Sequence, residues 1–229
     1  MMKEEKVSVS SKFWLCSADC LCGTLSGLIT GGGMTYFYTK HLGLDEGLAS
    51  IVWMIFAVWN ALNDPLFGYI SDRTKSKLGR RIPYIRYGAL LYGVIFILSW
   101  FLWPLGGSQT ALFVQMLVSL FFFDTFYTAI ATSLYVLPYT MAESNQARSG
   151  IFVWKIFFTL LSLAAPLVLF PLVRPDVGES ASRFQTIMIM LGVVTTLVIF
   201  FSTFFYKEKY TSDAEEAPGL WESICQCFK

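Results

Sequence analysis

Charge is scarce in this sequence. Asp, Glu, Lys and Arg supply 14% of its 229 residues against 55% for the hydrophobic types, and the formal net charge is +1. Such a chain lacks the basic excess with which nucleic-acid-binding domains neutralise phosphates. Histidine occurs once, at His41, which reads as an ordinary outer-loop residue. No nucleophile triad, metal-ligand cluster or phosphate-binding loop is visible, so the sequence points away from an enzyme and implies no cofactor and no metal. Cysteine is sparse too. Cys16, Cys20 and Cys22 fall in an apolar stretch and Cys225 and Cys227 near the C-terminus, which argues against a disulfide framework. The first three are expected to pack as small apolar groups, and Cys225-x-Cys227 reads either as having no special role or as a palmitoylation site. An Ala-x-Ala-like cleavage site is missing as well, so the first apolar run is expected to stay as a helix.

Long apolar stretches are what the sequence does have. They exceed the roughly 20 residues needed to cross a bilayer and place spans at 13–38, 47–71, 83–103, 110–137, 150–173 and 184–206. Lys and Arg sort strongly between the two sides these spans define. Lys3, Lys6, Lys12, Arg73, Lys75, Lys77, Arg80, Arg81, Arg86, Arg148, Lys207, Lys209 and Lys229 lie on one side; Lys40, Arg174 and Arg183 lie on the other. Cytoplasmic loops are enriched in these residues, so both termini are expected in the cytoplasm of a multi-pass protein of the cell membrane.

Within the second span Asn60, Asp64, Gly68 and Asp72 recur every four residues and so share one helical face. Pro65 leaves the carbonyl of Ala61 without its intrahelical partner and adds an oxygen nearby. A carboxylate here is expensive to bury in lipid, which suits a cavity lining, a cation or proton site, or a kink with hydrogen-bonded polar groups. Asp19, Asp64 and Lys155 are expected at similar depth, which permits ion pairing, with snorkelling as the other reading of Lys155. Asp124, near the middle of the fourth span, suits either the cavity or a helix interface. Gly23, Gly27 and Gly31 form a ridge that favours close helix contact, within the bundle or between copies.

The stretch NDPLFGYISDRTKSKLGRRIPY, residues 63–84, combines a Gly-x3-Asp-Arg with Gly-Arg-Arg and Pro-Tyr. Its Gly68, Asp72, Arg73, Thr74, Gly79, Arg80, Arg81, Pro83 and Tyr84 resemble the helix 2 to helix 3 signature of the glycoside-pentoside-hexuronide cation symporters, the melibiose permease-like branch of the major facilitator superfamily. The resemblance covers nearly the whole chain but only the first of that family's two six-helix halves. It implies an all-α membrane protein with six transmembrane helices, one half of a major facilitator fold. Residues 1–12 would be a cytoplasmic N-terminus, 13–206 the bundle, and 207–229 a tail resembling the start of the central loop.

The resemblance also implies roles. Asp64 and Asn60 match the helix-2 face that holds the coupling cation, H+ or Na+, but the family has carboxylates at both positions and another on helix 4. The helix-4 match falls near Ile130 or Ala131, so a sodium site of that type is incomplete. Thr24 matches a sugar-binding Asp on helix 1, Lys155 follows Trp154 as an arginine follows an aromatic on helix 5, and Tyr135 matches a helix-4 aromatic that stacks on sugar. Lys keeps the charge of that arginine without its bidentate fork. With Asp19 and Asp124, which rest on their depth in the spans and not on the resemblance, the expected substrate-binding set is Asp19, Thr24, Asp124, Tyr135 and Lys155. Gly68, Asp72, Arg73, Gly79, Arg80 and Arg81 would form a cytoplasmic gate that latches against the other half. The implied function is cation-coupled symport of a sugar or related small organic solute, with a second six-helix half or self-association as partner. The alternatives are a lysophospholipid-type carrier and a non-transporting membrane protein that binds or regulates a partner.

The topology is open to direct measurement. Cysteines placed singly at Lys77 and His41 are expected to react with an impermeant thiol reagent from opposite sides, position 41 in intact cells and position 77 only after lysis. The reverse pattern would refute the orientation.

Overall fold

The computed structural model describes residues 6–176 and 179–208. Six helices follow one another along these residues, with no strand among them. They are α1 (Val9–His41), α2 (Glu46–Arg73), α3 (Ile82–Leu98), α4 (Gln109–Met141), α5 (Asn145–Val173) and α6 (Ser182–Ser202). Four begin on a side-chain cap, which satisfies amides that a helix start leaves open. Ser8 accepts from Ser11, Asp45 from Gly47 and Leu48, Ser108 from Ala111, and Ser144 from Ala147. α1 is broken near its outer end, where Gly32 takes a φ of 96° and the wide turns Ile29–Gly33 and Phe37–His41 interrupt regular winding. Proline sits inside α2 at Pro65, inside α4 at Pro138, and inside α5 at Pro166 and Pro171.

Five helices are long and apolar enough to cross a membrane; α3, with 17 residues, is shorter. Its expected continuation to residue 103 unwinds into turns after Leu98. That irregular backbone is held from α4, where Gln115 is fully buried, donates to the Phe101 carbonyl at 2.7 Å and accepts from the Trp103 amide at 3.0 Å. Away from water such pairing is required, because unsatisfied backbone groups are costly.

α1 packs against α4, α5 and α6, α3 packs against α4 and α6, and α2 packs mainly on α4. Burial of the most apolar 18 residues of each helix ranks them accordingly: 56% in α1 and 50% in α4, but 17% in α2 and 11% in α5. α1 and α4 therefore form the centre, α3 and α6 the back, and α2 and α5 two flanks with open outer surfaces. The glycine ridge explains the α1–α5 seam. A β-carbon at Gly23 would lie 2.5 Å from the Ser162 hydroxyl, and one at Gly27 would lie 2.6 Å from the Pro166 ring; Gly31 has open space. Two of the three glycines therefore serve packing within the bundle. Cys16, Cys20 and Cys22 are buried and unpaired, whereas Cys225, Cys227 and most of the expected tail lie outside the described residues.

Overpacking of a close seam costs about 1–3 kcal/mol. Gly27→Leu is expected to lower the thermal midpoint in detergent by several degrees, whereas Gly31→Ala leaves it unchanged. Equal midpoints for Gly27→Leu and the parent chain would remove the seam from the account.

Candidate solute cavity and its basic mouth

α1, α2, α4 and α5 surround a cavity of about 900 Å³ lined by Asp19, Asp64 and Lys155. Asp19 of α1 and Lys155 of α5 form an ion pair at 3.4 Å across it, with side chains 24% and 13% exposed. Lys155 also donates to the Leu134 carbonyl at 3.5 Å and lies 5.4 Å from the centroid of the Tyr135 ring. Pairing, rather than snorkelling to the surface, accounts for this lysine. Asp64 lines the same cavity from α2 and accepts from the Thr128 hydroxyl at 3.1 Å. Asp19 and Lys155 each stand ten residues from the start of their helix, and Asp64 stands nine from the end of its own. At 1.5 Å per residue all three sit at one level, about 14 Å in from the basic end.

A second cavity of about 550 Å³ continues along the α1–α5 seam from Asp19 past Ser26 to Thr30. Tyr127, Ala131 and Thr159 border both. Ala131, at the place where the resemblance puts a helix-4 carboxylate, thus faces the cavity without an oxygen to offer.

Three expected lining residues lie elsewhere. Thr24 is buried and donates to the Cys20 carbonyl of its own helix at 2.8 Å. It lines neither cavity, because it stands one residue, about 100°, around the helix from Gly23, which faces α5. Asp124 is also buried, and it points into the α2–α4 interface rather than the cavity, where it accepts from the Asn63 side-chain amide at 2.9 Å. Asn60 stays on the open face of α2, one turn from Asp64 and outside the cavity lining. Tyr135 is in place, exposed on the cavity side.

The four-residue repeat of α2 hid the residue that fastens that helix. Asn63 is fully buried, and its side-chain carbonyl has no hydrogen-bond partner among the described residues. It lies about 100° around the helix from Asp64, which turns it onto α4 while Asp64 faces the opening. Thr128, the partner of Asp64, belongs to no motif. A search for polar residues at the middle of two adjacent spans was the available signal for both.

At the basic end Asp72 and Arg81 form an ion pair and both border the large cavity. Arg81 also donates to the Ser71 hydroxyl at 3.0 Å. Arg73 lies over the Tyr69 ring, 3.7 Å from its centroid. Gly68 borders the cavity with open space where a side chain would be. Gly79 takes a φ of 104° in the turn that brings Arg80 and Arg81 back. Of the expected gate residues, Asp72 and Arg81 thus contact each other within this chain.

Apolar helices long enough to cross a membrane, packed around a cavity that holds paired charges at a common depth, define the class of all-α membrane proteins. The family described as MFS/sugar transport protein matches residues 23–229, and the chain belongs to it. Among curated relatives, the inner membrane symporter YicJ of Escherichia coli is 24% identical over 97% of this chain and 49% of its own length. The uncharacterized symporter YnaJ of Bacillus subtilis is 24% identical over 98% and 49%. The sodium-dependent lysophosphatidylcholine symporter 1 of mouse is 26% identical over 69% of this chain and 30% of its own length. The chain therefore spans less than half the length of these relatives.

Removal of one partner leaves an uncompensated charge, whereas removal of both does not. Asp19→Asn and Lys155→Gln singly are expected to lower stability by about 1–3 kcal/mol, less than for a fully buried pair because both border the cavity. The double variant is expected to recover most of that loss in a thermal melt. Additive losses would show that the two charges do not act together.

Proposed function

We propose that this bundle is one half of a solute symporter, oriented with its basic end in the cytoplasm, and that the cavity between α1, α2, α4 and α5 forms half of the solute path. The observation that carries the reading is the cavity itself, about 900 Å³ and lined by Asp19, Asp64, Lys155 and Tyr135. In alternating access two repeats rock about a midplane site, so this reading includes a second six-helix half, on the same or another polypeptide, or a second copy. Asp64 is the coupling group. It keeps a carboxylate on the cavity side of α2, held by Thr128, where uptake or loss of H+ or a cation changes the charge of the path. Asp19, Lys155 and Tyr135 are the solute contacts, with the paired charges and the ring face suited to hydroxyl-rich or zwitterionic solutes.

A small polar organic solute such as a sugar is the primary substrate class. A lysophospholipid-type substrate is the second reading, favoured by the apolar side of the same cavity, where Val136, Ile156 and Leu160 stand beside the charged groups. A membrane protein that binds a partner without transport is the rival.

Vesicles carrying a protein with both halves are expected to accumulate a labelled solute from a sugar and lysophospholipid panel under an imposed H+ or Na+ gradient. Asp64→Asn removes the charge with little change in volume. It is expected to abolish accumulation against a gradient, a loss of at least about tenfold, while downhill exchange persists. Accumulation unchanged in the variant would remove Asp64 from the mechanism, and absence of flux for every solute would favour the partner-binding rival.

A further inference from the structure

α3 begins without a cap of its own, because Arg81 supplies no side-chain acceptor. The acceptor arrives from the other end of the described sequence. Glu208, six residues beyond α6, receives the amide of Arg80 on one carboxylate oxygen at 2.9 Å, and the amides of Arg81 and Ile82 on the other at 2.7 and 3.0 Å. Gly79 makes the room. Its φ of 104° disfavours any side chain, and a β-carbon there would lie 2.6–2.8 Å from the carboxyl carbon and both oxygens of Glu208. A carboxylate on three amides at a helix start is a charge-assisted contact aligned with the helix dipole.

The segment that delivers Glu208 is itself fastened. Arg86 donates to the Thr203 hydroxyl at 2.9 Å and lies over the Phe204 ring at 4.2 Å. Ser11 donates to the Phe205 carbonyl at 2.6 Å, and Trp14 stacks on the Phe205 ring at 4.6 Å. Tyr206 is buried with its hydroxyl 2.9 Å from that of Ser202. On the other side of the clasp, Arg81 sends its guanidinium to Asp72 and Ser71 at the cavity mouth. The residue whose backbone Glu208 holds is thus the residue whose side chain closes the Asp72 contact.

We propose that Glu208 is a positioning residue for the Arg81–Asp72 contact, so that the segment leaving α6 sets how open the basic mouth of the cavity is. Glu208 fixes the backbone at 80–82, which fixes where the Arg81 side chain starts and leaves Asp72 within its reach. Neither the solute nor the coupling ion touches Glu208. The inference rests on the reading of this cavity as the solute path, but its test reads the mouth and not the transport.

The full chain is placed in lipid nanodiscs with its five cysteines replaced by serine and one reporter cysteine at Thr132 in the cavity lining. The rate of reaction with an impermeant maleimide is then measured for Glu208→Ala, Glu208→Gln and Gly79→Ala, each with and without Asp72→Asn. Glu208→Ala and Gly79→Ala are expected to raise the rate about fivefold or more, the lower bound for a coupling of this kind, and Glu208→Gln by less. In the Asp72→Asn background the three are expected to add nothing, since no contact remains to be positioned. A rise of the same factor in both backgrounds would show that Glu208 merely holds the fold, and no rise in either would show that the clasp does not reach the mouth; each overturns the proposal. Should Glu208→Ala fail to insert, Gly79→Ala and Glu208→Gln give the same decision. Solute flux assayed in parallel, in vesicles carrying a protein with both halves, separates the two readings: a rate response without flux sinks the transport assignment alone, and flux without a rate response sinks this one alone.

Discussion

Hydrocarbon offers no water to a charged or polar group, and that constraint sets the rotation of α1, α2, α4 and α5 in this bundle. Asp19 and Lys155 meet across the α1–α5 seam, and Asp64 and Asn63 each find a partner, Thr128 or Asp124, on α4. A turn of α1 or α5 by one residue carries a charge about 100° away from its partner and toward lipid. Glycine makes the same seam possible from the packing side. Gly23 and Gly27 bring α1 close to Ser162 and Pro166, which brings Asp19 within reach of a lysine on the neighbouring helix.

The two seams differ in what they leave for function. Between α2 and α4 the polar groups are used up facing inward: Asn63 donates to Asp124, and both are buried. The neighbouring Asp64 faces the cavity instead, and Asp72, about two turns on, borders it as well. Between α1 and α5 the pairing is itself exposed to the cavity, so Asp19 and Lys155 line it as a pair rather than as separate charges. Lysine suits that arrangement. Its single ammonium binds one carboxylate, with donors left over for the Leu134 carbonyl and the face of Tyr135.

Much of this was legible in the sequence because it depends on period and spacing. Five of the six spans survive as helices long enough to cross, Gly23 and Gly27 survive as a close seam, and the four-residue repeat of α2 survives at Asp64, Gly68 and Asp72 but not at Asn60. Asp19, Lys155 and Asp64 were readable as a set because each lies a similar number of residues from a basic end. What was not legible depends on which neighbour a face meets. Thr24 and Asp124 were placed at the cavity by resemblance and by depth, yet the first spends its hydroxyl on its own helix and the second points at α2. Asn63 was passed over because it breaks the repeat, and that departure is what turns it onto α4. The end of α3 at Leu98 was hidden as well, since the apolar run continues past it while Gln115, seventeen residues later, holds the unwound backbone.

Glu208 shows the same limit at its greatest distance. The glycine at 79 was visible as part of a signature, and its positive φ accounts for glycine in the turn. The geometry adds a second reason, since a carboxylate from beyond α6 occupies the space a side chain would take. Each reason alone excludes a side chain, and together they tie the conformation of the α2–α3 turn to the path of the chain leaving the bundle. The basic turn therefore has two acidic partners with different jobs. Asp72 meets the Arg81 guanidinium at the cavity, and Glu208 meets the backbone amides on the opposite side, where its charge also offsets part of the surrounding Lys and Arg. A turn so rich in positive charge repels itself, and two carboxylates, one on α2 and one beyond the end of α6, hold it in one shape.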